Sequence, residues 1–163
     1  MKIIIDNSNL FAGGGIQVGT SFLNDLSTLK LTHEFHVIQS ENSSKQIDKS
    51  TFSDNFIFYD LKYESIFKRV KQLKSIEKKV QPEVIFNTFG PSYYKSSCPK
   101  IVGFAHGHLI YKESPYFKKL NSKDKLKNKL INSYKKYFFI KNADALIFET
   151  DEAREVFMTF SKK

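Results

Sequence analysis

His106 and His108 stand one residue apart behind a short apolar run, Ile101 to Ala105, that reads as a strand buried on both faces. A neutral imidazole at a strand end can accept a proton or hydrogen-bond a hydroxyl. His106, which ends the run directly, is the better placed of the two for catalysis or sugar binding. Two other readings stay open. A His-x-His chelate would need further ligands, and the remaining histidines, His33 and His36, lie around a different strand, so no metal is expected. A structural imidazole bonded to backbone is the third.

Three further clusters carry chemistry. Gly13-Gly14-Gly15 opens a helical pattern, where exposed amides and the helix dipole favour a phosphate or a sugar; the same glycines also suit a purely structural helix start. Phe89-Gly90-Pro91-Ser92-Tyr93-Tyr94 mixes turn residues with flat rings. These can stack against a sugar or a lipid-linked acceptor, or simply pack. Glu149 and Thr150 end another apolar run and would face the same cleft, with Thr150 equally suited to cap a helix. The nucleotide signatures fail: G-x-G-x-x-G would need glycine where Val18 stands, and no Gly-Lys-Ser/Thr occurs. That argues against a NAD-dependent oxidoreductase and a P-loop enzyme. No Ser/His/Asp triad can be assembled, and nothing marks Cys98, beside Pro99, as a nucleophile.

The elements that must position these residues alternate. Lys2 to Asp6 reads as a central strand, followed by the polar loop Asn7 to Ala12, the glycine turn and a helix through Leu29, with Gly15 and Gly19 on its inward side. Glu34 to Gln39 and Asn55 to Tyr59 are further strands, separated by a Ser/Asn/Lys-rich connection with room for a short helix. A surface helix then runs from Tyr63 to about Gln81, stopped at Pro82. Val84 to Phe86 and Ile101 to Ala105 form the fourth and fifth strands. After a loop containing Pro115, a long helix spans about Ser122 to Asn142, with Leu126, Leu130, Tyr134, Tyr137 and Phe138 expected to pack inward. Ala145 to Phe148 is a sixth strand, followed by a terminal helix through Phe160. The expected class is α/β, an open, mainly parallel, doubly wound Rossmann-like sheet of about six strands with helices on both faces, formed by residues 1–163 as one domain. Such sheets bind ligands beyond the carboxyl ends of their strands.

Composition narrows the class. A net charge of +9 and a pI near 9.5 call for an anionic partner or, on the other reading, reflect the same compositional bias that makes the chain rich in Lys, Phe, Tyr, Ile and Asn without Trp. The lysines of Lys118 to Lys141, interleaved with Tyr and Phe, form a basic face that is either simply solvated or a docking surface for an anionic membrane; no nucleic-acid-binding signature accompanies the charge. One cysteine precludes an internal disulfide and favours a reducing compartment. The apolar run at the amino terminus breaks at Asp6, too early for a signal peptide. The expected location is cytoplasmic, with peripheral attachment to the inner face of the membrane as an alternative.

Ile3-Ile4-Ile5-Asp6 with Gly13 to Val18, then Phe89 to Tyr93, Val102 to His106 and Ala143 to Thr150, occur in an order that resembles the amino-terminal domain of a GT-B glycosyltransferase, most similar to family 4. The resemblance implies two facing Rossmann-like domains, this one holding most of the acceptor site and a missing carboxyl-terminal one holding the nucleotide-sugar. It implies that Gly13, Gly14 and Gly15 approach the donor's phosphates and that His106 lies near the transferred sugar as the catalytic residue. Phe89, Gly90, Pro91, Tyr93, Tyr94 and His108 would border the acceptor pocket, with Glu149 and Thr150 on the rim. No cofactor or metal is implied. The whole enzyme would move a hexose from a nucleotide diphosphate-sugar to a glycan or lipid-linked acceptor in cell-envelope polysaccharide synthesis. This truncated domain alone would fold without transferring sugar. A non-catalytic α/β module binding nucleotides or glycans is the alternative.

Overall fold

The computed structural model describes residues 1–62, 65–111 and 113–161. Six strands, β1 (Lys2–Asn7), β2 (Glu34–Ser40), β3 (Phe56–Leu61), β4 (Val84–Asn87), β5 (Lys100–Phe104) and β6 (Ala145–Phe148), form one open sheet in the order β3-β2-β1-β4-β5-β6. Every neighbouring pair is parallel. Parallel pairing requires crossovers, and helices lie in all of them except the one from β4 to β5, which runs through residues 88–99 without a helix; the helices are α1 (Gly14–Thr28), α2 (Glu41–Ser44), α3 (Ile66–Val80), α4 (Gly107–Ile110), α5 (Pro115–Lys118), α6 (Ser122–Asn142) and, after β6, α7 (Asp151–Ser161). The fold is α/β and Rossmann-like, and all six expected strands form within two residues of their expected ends. The expected helix start at Tyr63 lies outside the described residues.

Side chains alternate across the sheet with a period of two and so build two cores. Ile4, Ile38 and Ile85 pack with Leu73 and Val80 of α3, while Ile5, Phe35 and Val37 pack with Leu23 of α1. A third cluster gathers Val102 and Phe104 of β5 with Phe139 of α6 and Phe157 of α7. The strand order reverses between β1 and β4, so their connections leave on opposite sides and a crevice opens beyond the strand ends.

Local chemistry sets the helix limits. Gly13 caps α1 at φ 66°, a backbone conformation that costs glycine nothing. Further along α1, a Cβ on Gly19 would overlap the Leu10 side-chain tip and stand 3.3 Å from Asn7 Nδ2, so the helix packs closely against the end of β1 and the loop behind it. At Gly15 the same addition meets only ordinary contacts. α3 ends where Gln81 turns left-handed, its N–H donating to the Glu77 carbonyl at 2.8 Å, ahead of Pro82.

Two expectations need correction. The stretch after β5, expected as a loop, holds α4 and α5, the latter starting with Pro115 behind a Ser114 cap. Most of the stripe on α6 does not pack inward: Leu126 is 61% exposed, Leu130 64%, Tyr134 54% and Tyr137 51%, whereas Phe138 is partly buried against Tyr93, and Phe139 and Asn142 are buried. Length is one reason. Twenty-one helical residues span about 31 Å, against about 16 Å for the five residues of β5. Much of α6 therefore has no sheet beneath it.

Lys100, at the start of β5, is only 1% exposed. Its ammonium donates to Ser92 Oγ and the Tyr94 carbonyl, both at 2.9 Å, and lies 3.5 Å from the centre of the Tyr94 ring. Burial pushes its pKa down to about 8, against the opposing pull of Asp6 and Glu77. This buried cation pins the segment after β4, and with it the turn that borders the crevice.

Candidate functional site

The loops after β1, β4, β5 and β6 enclose a cleft of about 490 Å³ at the carboxyl edge of the sheet. Gly14 and Gly15, Phe89 and Gly90, His106 and Glu149 all line it. α1, fifteen residues long, starts at this cleft, so its first turn brings the Gly14 and Gly15 amides and a partial positive charge to the site, while the Ile16 N–H turns back to the Gly13 carbonyl at 3.1 Å.

Asn9 holds two of the loops in register. Its Nδ2 donates to the Phe89 carbonyl at 3.2 Å and the Pro91 carbonyl at 3.3 Å, tying the β1 loop to the β4 loop across the point where the strand order reverses. Phe11, on the wall, carries the Arg69 guanidinium 5.3 Å from its ring centre, and Arg69 also donates to the Ser8 carbonyl. Sequence reasoning missed both polar residues. Asn9 sat in a stretch read only as polar loop, and Arg69 was one cation among the lysines of a surface helix; the one available signal was its rarity, as one of two arginines in the chain.

His106 is partly buried, with its ring edge-on to Phe139 at 5.8 Å. Its Nε2 lies 3.1 Å from the Gly90 carbonyl. A carbonyl only accepts, so Nε2 carries the proton and Nδ1 is left with a lone pair. Burial pushes the pKa down to about 4, helped by the nearby Lys135 charge and opposed by the Gly90 bond, with a small further lowering from His108. At neutral pH the ring is uncharged. It accepts hydrogen bonds well but is a weak proton acceptor, which narrows the catalytic reading to positioning a hydroxyl.

The remaining expected site residues go elsewhere. Tyr94 is buried under the sheet with Ile4 and Leu73 and holds the Lys100 ammonium against its ring, so it is corrected from acceptor contact to core. Tyr93 leans on α6, stacked with Tyr134 at 6.2 Å and edge-on to Phe138 at 5.2 Å. Pro91 is buried, with its carbonyl taken by Asn9. His108 leaves the cleft, packs tilted against Tyr116 at 4.6 Å and lines a separate hollow with Phe117, Lys125 and Lys129. Thr150 Oγ1 accepts from the Ala153 N–H at 3.1 Å and is the cap of α7. Gly13 shapes the turn behind Gly14 without lining the cleft.

The two histidines therefore diverge, and no group of three or more His, Cys, Asp and Glu among the described residues could hold a metal ion. A larger hollow of about 580 Å³ opens at the opposite edge of the sheet, between α3 and the segment before β5. Several of its polar groups are already committed: Glu77 accepts from the Ser97 N–H and hydroxyl at 2.7 and 2.6 Å, and Lys95 pairs with Asp144. Cys98 lines it with its thiol pKa raised by burial and then by Glu77, the reverse of what a nucleophile needs. No described helix is long and apolar enough to cross a membrane. No protein-family model matches the chain, and no curated protein matches it.

Proposed function

We propose that this chain is the acceptor-side half of a GT-B glycosyltransferase. The whole enzyme moves a hexose from a nucleotide diphosphate-sugar to a hydroxyl of a glycan or lipid-linked acceptor, in the synthesis of a cell-envelope polysaccharide. The observation that carries the reading is the meeting of Gly14, Gly15, Phe89, Gly90, His106 and Glu149 around one cleft at the carboxyl edge of a doubly wound sheet.

Each residue has a role that its surroundings support. The amides that open α1 face the donor's phosphates from one side of the cleft, where a Cβ on Gly14 would meet nothing within 4 Å. Phe89 offers a ring to a sugar face. His106, held by Gly90, accepts a hydroxyl hydrogen bond at Nδ1, and the Glu149 carboxylate on the rim accepts another. Charge on the departing diphosphate is neutralised from the facing donor domain, so this half needs no metal. A non-catalytic glycan- or nucleotide-binding module is the second reading. It gains from the weak basicity of His106, which leaves the described cleft without an imidazole suited to general-base work.

Amide shifts of the isotope-labelled chain, recorded with nucleotide diphosphate-sugars, with oligosaccharides and with NADH, test the reading. Shifts at Gly14, Gly15, Gly90 and Glu149 with a sugar ligand support it. Shifts with NADH alone would move the chain to the oxidoreductases. In the protein carrying both halves, His106→Ala should lower turnover more than tenfold, on the scale of losing a positioning group. Unchanged turnover would remove His106 from the mechanism.

A further inference from the structure

The segment Lys118 to Lys141 contains nine lysines and a single carboxylate, Asp124, and so holds eight of the chain's nine net positive charges. The rest of the molecule is almost neutral. Within α6, Leu126, Leu130, Tyr134 and Tyr137 fall on an arc of about 80° at 100° per residue, roughly opposite Phe139 and Asn142, which face the protein. All four are more than half exposed. Lys123 and Lys141 project from the same arc, Lys127 borders it on one side, and Lys129 and Lys136 border it on the other. The helix thus has two apolar faces. The inner one is used by the fold, and the outer one runs between rows of lysine.

From this geometry we infer that α6 lies on an anionic lipid bilayer, with Leu126, Leu130, Tyr134 and Tyr137 at the boundary between headgroups and acyl chains and the lysines among the lipid phosphates. Charge decides between a bilayer and a protein partner. Lysine is depleted from protein–protein contact surfaces, where burial would strip its water. On a bilayer its stem lies along the apolar layer while the ammonium stays among phosphates, and tyrosine rings favour the same depth. The cluster of net charge gives the long-range attraction, and the stripe gives the short-range hold. Tyr93 stacks on Tyr134, and Phe139 of the inner face packs against His106, so α6 joins this outer surface to the cleft. The inference stands apart from sugar transfer, because lipid binding is measured without any substrate.

Sedimentation with vesicles of phosphatidylcholine, alone or mixed with phosphatidylglycerol, tests it at low and high salt. The chain should pellet with the mixed vesicles at low salt and be released by about 1 M salt, where the Debye length falls to roughly 3 Å. Lys127→Ala and Lys129→Ala should each weaken partition about fivefold. The pair Leu126→Ser with Leu130→Ser should weaken it at least about tenfold. These side chains are exposed, so thermal melts of the variants should overlay the parent. Lys71→Ala with Lys78→Ala, on α3, should leave partition unchanged. Absence of binding to mixed vesicles at low salt would overturn the proposal, as would equal binding to neutral vesicles or an equal loss from the α3 pair. Concentration-dependent dimers abolished by the leucine substitutions would assign the stripe to a second copy of the chain instead.

Discussion

Titration of His106 offers the sharpest check on the cleft. Its imidazole pKa is pushed from an ordinary 6.5 to about 4, by burial first and by the Lys135 charge second. The gap of about 2.5 units corresponds to about 3 kcal/mol of preference for the neutral ring. At pH 5 an ordinary histidine is almost fully protonated, whereas His106 should be protonated in about a tenth of molecules. The consequence for stability has a definite sign. As pH falls below 6.5 the unfolded chain takes up a proton that the folded chain refuses until near pH 4. Stability is therefore full above pH 6.5 and drains away down to about pH 4. Imidazole carbon–proton spectra from pH 3 to 8, assigned with His106→Gln, would report the midpoint directly. Urea unfolding of both proteins across the same range should show a gap that shrinks by up to about 3 kcal/mol as pH falls from 6.5 to 4. Lys135→Met should move the midpoint upward. A midpoint at or above pH 6, or the same pH slope in His106→Gln, would refute the burial argument and restore His106 as a possible base.

Three further outcomes are expected. A Cβ on Gly103, in the middle of β5, would overlap the Thr88 carbonyl oxygen and lie 3.0 Å from its carbon. Gly103→Ala should therefore cost about 3 kcal/mol in urea unfolding, while Gly14→Ala, with nothing within 4 Å, should be neutral or slightly stabilising. Lys100, lowered from 10.5 to about 8, makes the unfolded chain the better proton binder between those values. Stability should then rise with pH from 8 to 10.5 in the wild type, and Lys100→Met should flatten that rise. Asn9→Ala removes two hydrogen bonds to the turn after β4. It should cost about 1–2 kcal/mol and broaden the amide signals of Phe89 and Gly90.

Much of the fold was legible because its signals are local. β-branched runs, the glycine turn before α1 and Pro82 after α3 act through the backbone of a few residues, and they placed the six strands and the long helices α1, α3 and α6. The part of the site drawn from strand ends was legible for the same reason: in a parallel sheet those ends share one edge, which is where Gly14, Gly90, His106 and Glu149 meet. Direction was not legible. His106 and His108 would point the same way along a strand, but the chain enters α4 after His106, and two residues of helix turn a side chain by about 200°. Tyr93 and Tyr94 are adjacent, so one reaches α6 while the other falls into the core. The stripe on α6 was found correctly as a face, but only Phe138 of it is partly buried, against Tyr93; the other four face outward. Periodicity says which residues share a side of a helix, and only the packed neighbours decide whether that side meets protein or solvent.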